Sequence, residues 1–440
     1  MKVRRIDLRQ SDLPLYWYNI VPSLPTPLPQ MIATQKQQEL LQKVIVPECL
    51  KQEMSNDSLI SIPDELLDLY IQIGRPRPLF RAYGLEETLD LPSNIHLYYK
   101  AEFLSPPGSH KLNTALPQIY FAKKCGLSRG VTATGGRITT ETGAGQWGSA
   151  VAFAARLLNI PDITIYWPKN IYDWKHERKI FMEFYGAKVI SSPSANTSAG
   201  KSVLEEDPDH PGDLGVAISE GLEDAASHKG SFYVLGSVLN HVLLHQTIIG
   251  LETLAQFNIL GELPDIMVSC LGGGSNFGGF VLPFVQTVLK NEKKIRFVAV
   301  QSSSAPNLQG EYRYDNADHA GLTPQMKMYT LGHKTKFKPI KAGGIIYHAA
   351  APIISYLRNL GIIETYSAPS NEREVFEAGR VFAQVEGQMP PAPESAYSIW
   401  GAIKEALDAK KKREPKVIAF NVSGHGFLDL AAYAEKLELR

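Results

Sequence analysis

Residues 264–276 read PDIMVSCLGGGSN, in which a short apolar run ends directly at three consecutive glycines. The run from Ile266 to Cys270 is typical of a buried strand, and the apolar stretch after residue 276 is typical of a helix. Glycines have no Cβ, so their backbone N–H groups can approach an anion, and a helix N-terminus adds donors and partial positive charge. The motif is neither the Walker loop of nucleotide-binding proteins, GxxxxGK[ST], nor the dinucleotide-binding turn, GxGxxG. It predicts a phosphate-binding loop, with a tight connecting turn as the alternative.

Strand-like and helix-like runs alternate on both sides of this loop. The strand-like runs are IHLYYKAEF (95–103), VTAT (131–134), ITIYW (163–167), AKVIS (187–191), IRFVAV (295–300) and KVIAFNV (416–422). Helical patterns lie between them, including AVAFAARLL (150–158) and WKHERKIFMEFYG (174–186). This alternation predicts an α/β fold with mainly parallel sheets, and its restart at residue 264 indicates two of them. Ligands of such sheets bind where strands end and helices begin.

The first 74 residues have a different character. Prolines stand among aromatic residues over 14–31, which favours an ordered extended arm over a disordered tail. Residues 62–74, IPDELLDLYIQIG, predict one amphipathic helix.

A lysine occupies an unusual position in SPPGSHKLN, residues 105–113. Lys111 falls at the start of a helix, where the macrodipole disfavours cations. A buried lysine amine can lose its charge and condense with an aldehyde, as in proteins that hold pyridoxal 5'-phosphate (PLP). An ordinary surface lysine is the alternative.

Two further loops follow predicted strands. TETGAGQWGS, residues 140–149, places Glu141 beside a glycine-rich turn whose N–H groups can bind a carboxylate, although a glutamate there also suits the helix dipole. NVSGHG, residues 421–426, places Ser423 after the last strand, where a serine is ordinarily a helix cap.

Composition restricts the class of protein. The 440 residues carry 45 basic and 45 acidic side chains, so the total charge gives no reason to expect nucleic acid or a membrane surface as partner. Three scattered cysteines argue against a disulfide scaffold or a cysteine zinc site. No apolar run approaches the ~20 residues of a membrane span, and no secretion signal is evident. We therefore expect a cytoplasmic enzyme.

Read together, the motifs resemble the tryptophan synthase beta chain, most closely its second subfamily. They include GSHKLN (108–113), ETGAGQWGSA (141–150), LGSVLNHVLLHQTIIGLE (235–252), GGGSN (272–276), PAPES (391–395) and SGHG (423–426). The resemblance implies a fold type II PLP-dependent enzyme with two open twisted α/β domains and the cofactor between them. It implies an N-terminal arm over 1–74, a phosphate-cup domain over 75–109 and 251–440, and a domain carrying the PLP lysine over 110–250. The implied reaction condenses L-serine with indole to give L-tryptophan and water.

The resemblance also implies roles for individual residues. Lys111 resembles the lysine that holds PLP and removes the Cα proton of serine, and Glu141 resembles the acid–base that protonates the departing hydroxyl group. Ser423 is similar to the neutral partner of the pyridine nitrogen. The implied cofactor contacts are His110, Lys111, Asn113, Ser237, Gly272, Gly273, Gly274, Ser275, Asn276, Glu386 and Ser423. The implied loop for the substrate carboxylate is Thr142, Gly143, Ala144, Gly145 and Gln146.

Four departures from the family pattern concern substrate choice and domain closure. GVTATGGRIT (130–139) makes the approach to Glu141 longer, Ile346 replaces an arginine, Tyr397 replaces a histidine, and Pro117 falls inside a predicted helix. O-Phospho-L-serine as donor, L-serine deamination and another β-replacement therefore stay open as alternatives. A catalytically silent binding protein is disfavoured because Lys111, Glu141 and Ser423 are all present. A homodimer is implied, while an alpha subunit and a monovalent cation held by backbone carbonyls are left open.

Overall fold

The computed structural model describes residues 3–128 and 136–439. Within them, the strands are β1 Arg5–Ile6, β2 Tyr16–Tyr18, β3 Leu59–Ser61, β4 Leu79–Arg81, β5 Ile95–Lys100, β6 Arg137–Glu141, β7 Ile163–Pro168, β8 Lys188–Ser192, β9 Ser231–Tyr233, β10 Ile266–Cys270, β11 Arg296–Ser302, β12 Glu311–Asp315, β13 Met326–Thr330, β14 Ile363–Ala368 and β15 Lys416–Asn421. The predicted strand VTAT lies outside the described residues, as does most of the longer loop before Glu141.

The α-helices lie mostly between these strands. They are α1 Gln35–Val44, α2 Pro47–Glu53, α3 Asp64–Gln72, α4 Tyr83–Thr88, α5 Leu112–Ser128, α6 Gln146–Leu157, α7 Lys169–Tyr172, α8 His176–Phe184, α9 Ser198–Glu206, α10 Leu214–Ser227, α11 Asn240–Gln246, α12 Ile248–Leu260, α13 Ser275–Leu289, α14 Pro352–Asn359, α15 Arg373–Glu386, α16 Pro393–Lys412 and α17 Leu430–Leu437. None of those described is long and apolar enough to cross a bilayer.

Two parallel sheets form the framework, as the alternation predicts. The smaller sheet has the order β8-β7-β6-β9 and is parallel throughout. The larger has the order β1-β4-β5-β15-β10-β11-β14, parallel from β5 onward, with β4 and β1 added antiparallel at one edge. The α/β fold class is thereby confirmed. The strands of the smaller sheet fall within 110–250, whereas β1 from the N-terminal arm joins the larger sheet. The domain boundaries themselves stay a prediction.

The N-terminal arm is extended and packed on the body of the protein. β2 pairs with β3, and Trp17 is fully buried. The backbone N–H of Tyr18 donates to Thr247 Oγ1 at 3.0 Å, which ties the arm to the turn between α11 and α12. The predicted helix over 62–74 is α3.

Pro117 lies inside α5, which begins at Leu112. A proline has no N–H, so the carbonyl four residues earlier loses its helical partner. That carbonyl belongs to Asn113, and it accepts a hydrogen bond from the Tyr70 hydroxyl at 2.7 Å. Since an unpaired buried acceptor costs about 1–3 kcal/mol, α3 removes part of the penalty of the proline in α5.

Candidate active site

A cavity with about 1330 Å³ of empty space, counted to its open mouth, lies where strands of both sheets end. The loops after β5, β6, β9, β10 and β15 all contribute to its wall. Of the residues predicted for the site, it is lined by His110, Lys111, Glu141, Gly143, Ala144, Gln146, Ser237, Gly272, Gly273, Gly274, Ser275, Asn276 and Ser423. Segments far apart in sequence, from Met31 to Gly424, therefore meet at one place, where the strands of α/β sheets end.

The glycine loop after β10 has the form of a phosphate cradle. Gly274 has φ +115° and precedes α13 directly. A Cβ on Gly273 would lie 2.3 Å from Ser237 Oγ, so the loop packs too closely for a side chain. The backbone N–H groups from Gly273 to Asn276 have no hydrogen-bond acceptor among the described residues. These N–H groups are free to donate hydrogen bonds to an anion.

Two buried polar atoms beside this loop also lack partners within the described chain. Ser109 Oγ and His110 Nδ1 are buried without a hydrogen bond, while His110 Nε2 lies 3.4 Å from Ser275 Oγ. Burial, and then the adjacent Lys111, lowers the pKa of His110 well below its usual value, so the ring is neutral. Unpaired buried polar atoms are costly, and a bound polar group would satisfy them. The loop and these atoms fit the phosphate of PLP.

Lys111 carries a chemically activated amine. Its Nζ donates to the carbonyl of Gly236 at 3.1 Å. Burial lowers the pKa of Lys111 to about 8, against the opposing effect of Glu141 and Glu394. A substantial fraction of the amine is therefore neutral near physiological pH, which covalent attachment to an aldehyde requires.

Glu141 ends β6 and is 6 % exposed. Burial raises the pKa of its carboxyl, and the hydroxyl of Tyr233, which donates to Oε2, lowers it. A carboxyl held between these opposing effects can both give and take a proton.

The glycine loop after β6 offers N–H groups at its tip and not at its base. Gly143, Ala144, Gly145 and Gln146 have no backbone acceptor among the described residues. The N–H of Thr142, by contrast, donates to the carbonyl of Tyr166 at 2.9 Å, so the predicted free N–H is absent at this residue. This bond continues the β6–β7 ladder by one residue, while the Thr142 hydroxyl oxygen accepts from the N–H of Gly148 at 3.0 Å. The place of Thr142 in the substrate-carboxylate site stays a prediction.

Three more predicted residues do not line the cavity. Gly145 packs behind its loop, where a Cβ would lie 2.8 Å from the side chain of Arg178. The Asn113 side chain belongs to a fully buried charge network, since it accepts from Arg75 at 3.1 Å and donates to Glu102 at 3.0 Å. Glu386 lies at the end of α15 and accepts from the N–H of Leu85 at 2.8 Å, at the start of α4. The prediction that Glu386 and Asn113 contact the cofactor disagrees with this placement.

Glu394, which the sequence reasoning missed, is the acid at the cavity from that part of the chain. It stands in the first turn of α16 and accepts from Gln146 Nε2 at 2.7 Å and from the N–H of Gly344 at 2.8 Å. It therefore joins the glycine loop after β6, here called the carboxylate loop, to the segment over 342–348. Its position directly after Pro393 at a helix start was the available signal.

Ser423 faces the cavity with a second hydroxyl behind it. Ser395 Oγ lies 2.9 Å from Ser423 Oγ and accepts the N–H of Gly424 at 2.9 Å. Cys270 also lines the cavity, and burial raises the pKa of its thiol to about 11, so it stays neutral. A wall of neutral groups at this point suits an unprotonated pyridine nitrogen.

Ile346 and Tyr397, the two residues that replace an arginine and a histidine of the family pattern, lie differently relative to the cavity. Ile346 lines an adjoining chamber of about 750 Å³, which shares Gly143 and Tyr347 with the cavity. Tyr397 is fully buried behind the site, 3.3 Å from Glu372 through its hydroxyl. No cluster of His, Cys, Asp or Glu with metal-site geometry occurs among the described residues.

Comparison with known proteins agrees with the geometry. Residues 71–424 match the family of pyridoxal-phosphate dependent enzymes. The fungal L-serine ammonia-lyase from Rhizomucor miehei has a similar fold, with a TM-score of 0.57 and 17% identity over 82% of this chain and 97% of that one. Fold and site together define a fold type II PLP-dependent enzyme.

Nearly full-length relatives narrow the assignment. The chain is 47% identical to tryptophan synthase beta chain 2 of Methanothermobacter thermautotrophicus over 99% of each chain. It is 48% identical to the tryptophan synthase beta chain of Pyrococcus horikoshii over 98% of this chain and 92% of the relative. The chain belongs to the tryptophan synthase beta chain family.

Proposed function

We propose that this protein catalyses the β-replacement that condenses L-serine with indole to give L-tryptophan and water. The observation that carries the proposal is the meeting of Lys111, Glu141 and the glycine loop over 272–276 in one cavity. Membership of the family supplies the cofactor, PLP, and the reaction class.

The residues divide the work by position. The N–H groups over 273–276 would hold the phosphate, Lys111 would hold the aldehyde carbon, and Ser423 would face the pyridine nitrogen. When bound, PLP supplies a π-system that stabilises negative charge at the substrate Cα. The N–H groups of Gly143 and Ala144 bind and orient the substrate carboxylate.

Proton transfer falls to the two buried titratable groups. The neutral amine of Lys111 takes the Cα proton, because burial has already lowered its pKa to about 8. Lys111 returns this proton to Cα after the bond to indole has formed. Glu141 gives its proton to the oxygen that leaves, since hydroxide is too basic to depart unaided. It then accepts the proton that indole loses.

The remainder of the wall suits an apolar second substrate. Apolar side chains from α1, α6 and α10 line the cavity beyond Glu141, namely Leu41, Ile45, Trp147, Leu214, Ile218 and Leu222. They offer a flat aromatic ring a water-poor surface. Exclusion of water matters here, because water would compete with indole and release pyruvate.

O-Phospho-L-serine is the second candidate donor, and the adjoining chamber favours it. That chamber carries Lys336 and Lys338 next to Gly143 of the carboxylate loop, together with Asp213. Lys336 is already paired with Asp207 at 3.0 Å, so Lys338 is the lysine that would attract a second anionic group on the donor.

The test is steady-state tryptophan formation by the purified, PLP-loaded protein with indole and either donor. Formation from L-serine supports the proposal, and formation from O-phospho-L-serine alone replaces it with the second candidate. Glu141→Gln keeps the shape of the side chain without its proton chemistry and is expected to lower kcat by at least ~100-fold. Pyruvate without tryptophan would identify a deaminase.

A homodimer in the cytoplasm, with or without an alpha subunit, remains part of the proposal. Light scattering with and without that subunit tests the assembly.

A further inference from the structure

Tyr233 and Glu141 are brought together by two neighbouring strands. β6 and β9 are parallel, with Thr139 opposite Tyr233, and Glu141 is two residues beyond Thr139. Side chains alternate along a strand, so Tyr233 and Glu141 project from the same face at the carboxyl end of the sheet. The Tyr233 ring is confined there, because a Cβ on Gly221 would lie 2.9 Å from it.

The contact between the two side chains is a hydrogen bond in a nearly dry environment. The Tyr233 hydroxyl donates to Glu141 Oε2, and Tyr233 is 3 % exposed. Burial, and then Glu141 itself, raises the pKa of Tyr233 well above 10, so the phenol keeps its proton. Tyr233 is therefore a permanent donor to the carboxylate form of Glu141.

We propose that Tyr233 is the positioning residue for Glu141: its hydroxyl fixes one carboxyl oxygen and stabilises the carboxylate formed when Glu141 releases its proton. The inference rests on the proposed function and adds a residue to it. As the Cβ–O bond of serine breaks, its electron pair goes to oxygen, and the Glu141 proton completes water. The Glu141 carboxylate stays hydrogen-bonded to Tyr233 while indole forms the new C–C bond with its own electron pair. The carboxylate then accepts the proton that indole loses.

Other groups around Glu141 also titrate or carry charge. Lys111 faces it from the start of α5, and Tyr347 faces it from the segment before α14. Glu394, in α16, raises the pKa of Lys111. Among the described residues, Tyr233 has the hydroxyl closest to the Glu141 carboxyl, and the Thr140 hydroxyl lies 3.5 Å from the same oxygen. The backbone N–H groups of Gly236 and Glu141 also favour the carboxylate, but less than Tyr233 does.

The experiment compares Tyr233→Phe with a matched control. Tyr166→Phe removes another buried tyrosine–carboxylate hydrogen bond, which the Tyr166 hydroxyl donates to Asp224 at 3.0 Å. Tyr166 lies on β7, the strand next to β6, and does not line the cavity. Both PLP-loaded variants are measured by the pH dependence of kcat/KM for serine and by infrared titration of the Glu141 carboxyl. The infrared band is identified by its loss in Glu141→Gln.

Loss of the Tyr233 donor is expected to raise the pH at which Glu141 loses its proton by about one unit. The alkaline limb of the rate profile moves with it, and kcat falls about 10-fold while KM for serine changes less than threefold. Tyr166→Phe is expected to change neither. An unshifted Glu141 titration in Tyr233→Phe, or an equal shift in the control, overturns the proposal.

A second substitution guards against misfolding of the first. Difluorotyrosine at position 233 is a stronger donor of similar shape, and it is expected to move the Glu141 titration to lower pH. A shift upward, or none, contradicts the inference. If the wild-type protein forms no tryptophan, the proposed function fails, whereas the infrared titration still decides whether Tyr233 controls Glu141.

Discussion

Replacing Gly274 by alanine tests the phosphate-binding loop most sharply. Gly274 has φ +115°, a conformation that L side chains rarely adopt, and an added Cβ would lie 3.2 Å from Ile354 and 3.3 Å from Ala351. The left-handed backbone costs a residue other than glycine roughly 1–2 kcal/mol. The neighbours can yield by only a few tenths of an ångström, so the loop has to relax and move its N–H groups.

If that strain is relieved at the expense of the bound phosphate, the Kd for PLP rises about 5–30-fold, since 1.4 kcal/mol is a factor of ten. Equilibrium dialysis of the cofactor-free protein against PLP measures this. Gly361→Ala is the control, because Gly361 has φ +74° and nothing within 4 Å of an added Cβ. A Kd unchanged within twofold in Gly274→Ala, or raised equally in the control, would refute a phosphate cradle at this loop.

Three further outcomes follow from the same structure. Lys111→Ala is expected to abolish the covalent cofactor chromophore in the absorbance spectrum, and retention of that chromophore would remove Lys111 from its role. Because burial lowers the pKa of Lys111 to about 8, the rate of covalent PLP attachment should rise with pH and level off above about 8, whereas a half-point near 10 would contradict the low proton affinity. Asp429→Ala leaves the buried Lys175 and Arg178 without the carboxylate that lies 2.8 and 2.5 Å from them, so we expect a loss of about 3–5 kcal/mol in the free energy of unfolding measured in urea; a loss below ~1 kcal/mol would contradict a buried ion triad.

The framework and much of the site could be predicted because their signals are local in sequence. An apolar strand, three glycines and a helix start lie within 264–290, and this combination favours a phosphate-binding loop over a simple connecting turn. Lys111 was recognisable because a cation at a helix start conflicts with the helix dipole. None of these local signals depends on which residues lie across the cavity.

The choice between Glu386 and Glu394 could not be made in the same way. Both carboxylates flank the turn that joins α15 to α16, and the chain reverses direction between them. Only one helix end points at the cavity, and packing of the two helices against the larger sheet decides which. Sequence alone shows two acids eight residues apart.

Long-range pairing explains the other omissions. Tyr233 ends a strand of three residues, and its partner Glu141 is 92 positions away. The N–H of Thr142 was predicted to be free because β6 was expected to stop pairing before it. The pairing between β6 and β7 instead continues for one more residue. The cost of Pro117 was likewise unpredictable, because the hydroxyl of Tyr70 comes from α3, a separate helix earlier in the chain.

In the proposed reaction, one cavity carries the β-carbon of serine to indole without losing it to water. This transfer is measured by supplying L-[3-13C]serine and indole to the PLP-loaded protein and following the label by NMR. We expect the label to appear in the methylene carbon of tryptophan, at a rate that Glu141→Gln lowers. Accumulation of the label in the methyl group of pyruvate, with no labelled tryptophan, would contradict it.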